Sequence, residues 1–270
     1  MVGFAVVVGT VVASHSYIEI ATVKSLLGFL CGFFISSFSM VSNDIYDVGV
    51  DRVNQPDRPL ASGRVSAGAA RSLSIFLLLA GLLASALLGP LTLIIALLFA
   101  LVGWYYNYHG KRLGLFGNSL VALSLAIPYI FGSIAIGVYS INLSYFLAIT
   151  SFFAGLGREV LKGIADVQGD SVRKIRTVAI RFGVNAAKTL ASTMFLLAVA
   201  TSVLPIVLGL LGNAIGIYLG LVGLTDLIFL YLTLKVFRMK LASDSLKLKS
   251  LALGGMLVGL LAYLITGIFI

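Results

Sequence analysis

Asn43-Asp44-Ile45-Tyr46-Asp47-Val48-Gly49-Val50-Asp51 follows directly on an apolar run over residues 21–42. That junction decides how the chain reads. The run is long enough to cross a bilayer. The stretch after it places Asp44, Asp47 and Asp51 at i, i+3 and i+7, so a helix would stack all three on one face over two turns. Asn43 sits at the edge of that face and offers a neutral oxygen. Asp57 lies just beyond. Carboxylates grouped at a membrane boundary repel one another and are costly to hold there.

The same pattern returns about 120 positions later. A second apolar run leads into Arg158-Glu159-Val160-Leu161-Lys162-Gly163-Ile164-Ala165-Asp166-Val167-Gln168-Gly169-Asp170. Lys162, Asp166 and Asp170 follow an i, i+4, i+8 track, with Glu159 three positions before Lys162. The two clusters hold seven of the ten acidic residues in the chain. So acid-poor a sequence needs a cation to keep them together. Mg²⁺ takes one or two carboxylates, several waters and phosphate oxygens. Two facing clusters are therefore expected to clamp a diphosphate through magnesium. The competing reading is a pair of salt-bridged helix ends, with Arg52, Arg58, Arg158 and Lys162 as partners.

The rest of the chain is built for lipid. It has 270 residues, 60% of them hydrophobic and 11% charged, with a mean hydropathy of +1.09. That composition excludes an ordinary soluble domain. Nine spans are expected, at residues 1–14, 21–42, 68–88, 91–108, 117–138, 143–162, 187–211, 214–236 and 248–270. No basic leader precedes the first, so no cleavable signal peptide is expected. Cys31 is the sole cysteine, which rules out disulfides and a cysteine metal site. The prediction is an all-α, polytopic membrane bundle. It forms one domain over 1–270, with two pseudo-repeated four-helix halves around a central cavity. Pro128 and Pro205 read as packing features.

The net charge is +9, and its distribution speaks for topology rather than nucleic acid. After Lys24, every Lys and Arg falls at one set of alternate span ends. The connections near Gly89-Pro90, Tyr139-Ser140 and Gly212-Asn213 carry none. This asymmetry places the charged loops, and both acidic clusters, on the cytoplasmic side of a cell membrane.

Three further stretches supply candidates. Two prolines stiffen Asn54-Gln55-Pro56-Asp57-Arg58-Pro59-Leu60-Ala61-Ser62-Gly63-Arg64, and Arg58 between them can fork onto a diphosphate; Arg64 is open between function and topology. Tyr106 and Lys111, in Tyr105-Tyr106-Asn107-Tyr108-His109-Gly110-Lys111-Arg112, can reach phosphate oxygens or serve an interfacial belt. Arg173, Lys174, Arg176 and Arg181 read mostly as topology determinants, and some could bind a second phosphate. Asp226, in mid-span, is a functional candidate or a buried acid satisfied by an internal partner.

With these residues in view, the chain resembles the UbiA-like intramembrane prenyltransferases over nearly its whole length. Asn43-Asp44-x-x-Asp47-x-x-x-Asp51 is similar to that family's first aspartate motif and Asp166-x-x-x-Asp170 to its second. Arg58-Pro59-Leu60-x-x-Gly63 and the Tyr106…Lys111 element also fit. Within the family, the run from Arg158 to Asp170 is most similar to archaeal digeranylgeranylglyceryl phosphate synthases. The resemblance implies transfer of a geranylgeranyl group from its diphosphate to the free hydroxyl of geranylgeranylglyceryl phosphate. It implies Mg²⁺ at Asp44, Asp47, Asp51, Asp166 and Asp170, and catalytic roles for Asp44, Asp47, Asp166, Asp170 and Lys162. Substrate contacts are expected from Asn43, Arg58, Tyr106, Lys111 and Arg158. The expected partners are those two lipids and the bilayer, with no nucleic acid. The family's polar Arg-Pro stretch before the first span is missing, since this sequence opens at Met1-Val2-Gly3-Phe4; either the start is truncated or that cap is dispensable. Three alternatives stay open: an aromatic acceptor on the same fold, a transporter of a phosphorylated metabolite, and a purely structural membrane protein, which the acid clustering disfavours.

Overall fold

The computed structural model describes residues 2–14, 22–167, 175–239 and 244–270. Among them, nine helices match the nine expected spans in order. They are α1 (Val2–Ala13), α2 (Val23–Asn54), α3 (Ala67–Leu88), α4 (Pro90–Tyr108), α5 (Leu115–Ala135), α6 (Leu143–Ala165), α7 (Val178–Ser202), α8 (Ile215–Arg238) and α9 (Asp244–Phe269). Seven of these segments are long and apolar enough to cross a bilayer; α1 has only 12 residues, and α6 carries Arg158, Glu159 and Lys162 towards its end. Long aliphatic side chains such as Leu79, Leu83, Leu98, Leu227 and Leu257 point outward. The molecule is a multi-pass membrane protein.

Helix α2 decides where the first acidic cluster sits. Its 32 residues make a rod about 48 Å long at 1.5 Å per residue, against a hydrocarbon core of about 30 Å. The apolar part is used up near Ser42. The helix continues without a break and carries Asn43, Asp44, Asp47 and Asp51 past the apolar layer. It stops at Gln55, because the following Pro56 disfavours a helical residue before it; the Gln55 N–H still reaches the Asp51 carbonyl at 2.8 Å.

The halves are visible in the packing. In the first half α2 packs closely on α3, and in the second α6 packs closely on α7. The halves meet where α5 lies against α6, and α1 bridges them as well, touching α2, α5, α6 and α9. Close approach of α1 and α5 depends on two glycines. A Cβ on Gly9 would stand 2.1 Å from the Tyr129 carbonyl oxygen, and one on Gly132 equally close to that of Val6. In lipid, where no hydrophobic force separates helix from solvent, such backbone contact is the main packing gain.

Two expectations are adjusted. Helix α7 starts at Val178, before the expected 187, and breaks at Gly183, whose φ of +88° is open to glycine; the stretch before it is a short segment at the membrane boundary. Pro128 lies inside α5 as a packing element, whereas Pro205 opens a separate helical turn, Leu204–Val207, after α7 has ended.

Candidate active site

The charged ends of the helices gather at one end of the bundle. The turn after α4 (Gly110–Arg112) reaches over α2, and the segment before α7 docks on that turn. The Arg176 N–H points at the Arg112 carbonyl, 3.4 Å away. Gly114 makes the docking possible: its φ is +57°, and a Cβ there would overlap the Arg176 carbonyl oxygen. Lys188 on α7 donates to the Met239 carbonyl at 2.7 Å, which ties down the end of α8.

On α2 the three aspartates share one face, as their spacing requires, and each is held by a cation. Arg58 Nη1 donates to Asp44 Oδ1 at 3.0 Å and to Asp51 Oδ2 at 2.9 Å. Its Nε donates to Gln55 Oε1 at 2.6 Å, so the guanidinium is oriented from two sides. Lys111 Nζ donates to Asp47 Oδ2 at 2.6 Å. The 54–66 loop is compact enough to aim Arg58: Ser62 N–H and Oγ both donate to the Arg58 carbonyl at 2.8 Å. Arg64 is turned into that loop, donating to Ser62 Oγ and to the Asp57 carbonyl.

Below the aspartates lies a chamber. A cavity of about 240 Å³ is lined by Asn43, Tyr106, Asn107, Ser39, Gly103 and Ser124. Asn107 Nδ2 donates to the Ser39 carbonyl at 2.8 Å and fixes α4 against α2. The last three lining residues also border an apolar cavity of about 290 Å³ that runs deeper, between Ile35, Ala96, Phe99, Phe131 and Val6. Helices α1, α2, α4 and α5 thus line two adjoining cavities that together have a polar mouth and an apolar depth. They sit within the first half and α1. The second half is filled instead by Phe195, Phe229, Leu161 and Ile164. Phe131 lines the chamber, whereas Phe152 packs against a separate buried cluster and Tyr105 lies beside the His109 ring.

On α6, Arg158 Nη1 donates to Glu159 Oε1 at 2.8 Å, and Lys162 Nζ lies 3.7 Å from Glu159 Oε2. Glu159 is buried, so it orients the two cations rather than meeting solvent or metal. Arg158 Nε is buried with no partner among the described residues, a donor left over for an anion. Asp166 caps the end of α6. Asp170 lies outside the described residues, as do Arg173 and Lys174.

Among the described residues no three His, Cys, Asp or Glu side chains converge tightly enough to ligate one ion. The donor chemistry still fits magnesium. Hard carboxylate oxygens stand in a row at the mouth of a chamber, and Mg²⁺ needs only one or two of them beside water and phosphate. Arg58 and Lys111 supply the positive charge that a metal would otherwise bring to the same oxygens.

Sequence reasoning missed the residues that shape the site without carrying charge: Ser39, Gly103 and Ser124 line the chamber, and Gln55 braces Arg58. Small residues inside apolar spans were the available signal. Asp226 finds its partner in Ser202, whose Oγ donates to it at 2.8 Å.

Known proteins resemble this chain at the same level of detail. A curated digeranylgeranylglyceryl phosphate synthase of Archaeoglobus fulgidus is 35% identical over 266 residues, covering 97% of this chain and 89% of the relative. One from Sulfurisphaera tokodaii is 36% identical over 206 residues, covering 76% and 73%. A solved structure of a digeranylgeranylglyceryl phosphate synthase superposes with a TM-score of 0.86 at 28% identity, covering 100% of this chain and 94% of the other. A UbiA homolog from Archaeoglobus fulgidus bound to GPP and Mg²⁺ shares the fold, with a TM-score of 0.70 at 18% identity over 100% and 94% of the two chains. The model of the UbiA prenyltransferase family matches residues 2–265. This chain belongs to the UbiA prenyltransferase family.

Proposed function

We propose that the protein transfers a geranylgeranyl group from geranylgeranyl diphosphate to the free hydroxyl of geranylgeranylglyceryl phosphate, forming the second ether bond of archaeal membrane lipids. The observation that carries the reading is the row of carboxylates at the mouth of a chamber that is polar at its opening and apolar in its depth. A diphosphate head with a long isoprenoid tail has that same division. The relatives named for this reaction, matched over most of their length, support the choice of acceptor.

Asp44, Asp47 and Asp51, with Asp166 and Asp170 from the second motif, are the residues to hold Mg²⁺. When bound, the ion neutralises the diphosphate and favours its departure. The chain's own residues do the rest. Arg58, Lys111, Lys162 and Arg158, with its spare buried donor, add positive charge where negative charge grows as the allylic C–O bond breaks. Asn43 and Tyr106 at the mouth orient the head group. The apolar walls hold the tail and keep water from the allylic carbon, with Phe131 and Phe99 offering ring faces along the way. The glycerol hydroxyl attacks that carbon, the ether C–O bond forms, pyrophosphate leaves, and the hydroxyl proton is released late. The basic ends of alternate helices support a cell-membrane location with this mouth facing the cytoplasm.

The test is product analysis. Purified protein with Mg²⁺ and geranylgeranyl diphosphate is offered geranylgeranylglyceryl phosphate, hydroxybenzoate and a naphthoate. Digeranylgeranylglyceryl phosphate and pyrophosphate are expected by mass spectrometry. Prenylated aromatic product alone would refute the acceptor. Counterflow in liposomes without pyrophosphate release would refute the enzyme.

A further inference from the structure

Several cations at the charged end of the bundle have polar partners among the described residues. Arg58, Lys111, Arg158 and Lys162 meet carboxylates, and Arg64 and Lys188 meet carbonyls. Arg112, Arg176 and Arg181 do not. None has a carboxylate within ion-pair distance among the described residues, yet all three line one cavity of about 360 Å³ with Leu113, Phe116 and Phe182. Sidedness of charge explains why arginines lie at this end. It does not explain why three converge on one hollow, where like charges repel unless an anion joins them.

The walls of the hollow are set by the docking already described. Arg112 belongs to the turn after α4, and Arg176 and Arg181 to the stretch that ends at the Gly183 break. The Arg176–Arg112 backbone contact and the fit of Gly114 against Arg176 hold the two walls together. Arg181 is further positioned over the Phe182 ring, 5.1 Å from its centre. Guanidinium groups suit phosphate because their planar fork gives paired hydrogen bonds. The other lining is apolar and outward-facing: Phe116 is 54% exposed and Phe182 64%. A ligand that satisfies both needs a phosphate head and a hydrocarbon body.

We propose that Arg112, Arg176 and Arg181 form a binding site for the phosphate head of a glycerolipid, separate from the aspartate mouth and joined to it through the turn in which Lys111 faces Asp47 and Arg112 faces the hollow. Two lipids carry that chemistry, the phosphorylated acceptor and anionic lipid of the bilayer. The acceptor case rests on the reaction proposed above; the binding itself does not.

Purified protein in detergent is titrated with phosphatidate, and with diacylglycerol as the phosphate-free control, and bound lipid is read by native mass spectrometry. Phosphatidate is expected to be retained and diacylglycerol not. Each basic residue near an anionic lipid surface contributes roughly fivefold in affinity. The single variants Arg112→Gln, Arg176→Gln and Arg181→Gln should each weaken retention by about that factor, and the triple variant by about a hundredfold. Arg71→Gln, at the same end but outside the hollow, should retain phosphatidate normally. The singles keep the test decisive if the triple variant does not fold, and a triple lysine variant that keeps part of the binding separates charge from folding. Turnover then distinguishes the occupants. A raised KM for geranylgeranylglyceryl phosphate, with KM for the diphosphate unchanged, identifies the acceptor; unchanged KM values with lost phosphatidate retention identify bilayer lipid. Wild-type retention of phosphatidate in the variants would overturn the proposal, even in protein that shows no transferase activity at all.

Discussion

Lys111 Nζ lies 2.6 Å from Asp47 Oδ2, joining residues 64 positions apart in the chain. The contact folds the turn after α4 over the acidic face of α2. It also sets up a competition, because the ammonium occupies an oxygen that magnesium would use. Lys111→Gln should lower kcat by about a hundredfold, the usual order for losing one positive donor at a leaving group. The Mg²⁺ concentration for half-maximal activity should fall or stay level, since Asp47 is released. A magnesium titration of residual activity checks this; a sharply raised magnesium requirement would contradict the pairing.

Arg58 bridges Asp44 and Asp51 through a single nitrogen. Arg58→Ala leaves three carboxylates stacked on two helical turns. The loss without magnesium should be about 1 kcal/mol, since the group is partly open to water. Added Mg²⁺ should restore more of the melting temperature in the variant than it adds to the wild type. Thermal melts in detergent with and without the metal give the comparison.

Asp44→Ala, and separately Asp170→Ala, should abolish transfer while the protein still inserts and purifies. Near-normal turnover of either variant with added Mg²⁺ would remove the metal assignment. Asp44 tests the face seen on α2; Asp170 tests the second motif, whose first aspartate, Asp166, ends α6.

Ala96 is buried at the deep end of the chamber. Ala96→Phe should shorten the accepted chain. Each methylene denied its apolar wall costs about 0.8 kcal/mol, so the preference for a twenty-carbon over a ten-carbon diphosphate should fall by more than about tenfold. Competition between the two donors, read by product mass, measures it. An unchanged ratio would show that the tail lies elsewhere.

Much of this was written into the chain as pattern. The apolar runs and their basic ends determined a polytopic helical bundle, because backbone buried in lipid must satisfy its own hydrogen bonds. The i, i+3, i+7 spacing determined that Asp44, Asp47 and Asp51 share a face, and α2 runs straight through them. Other features had no local signature. That Arg58 spans Asp44 and Asp51 and that Lys111 meets Asp47 depend on loops folding back over helices, and that Glu159 is buried depends on how α6 packs against its neighbours. The location of the chamber in the first half depended on which half filled its interior, with Phe195 and Phe229 closing the second and Ser39, Gly103 and Ser124 leaving the first open. Periodicity along one helix follows from its own geometry; partners and empty space arise only when helices distant in sequence pack together.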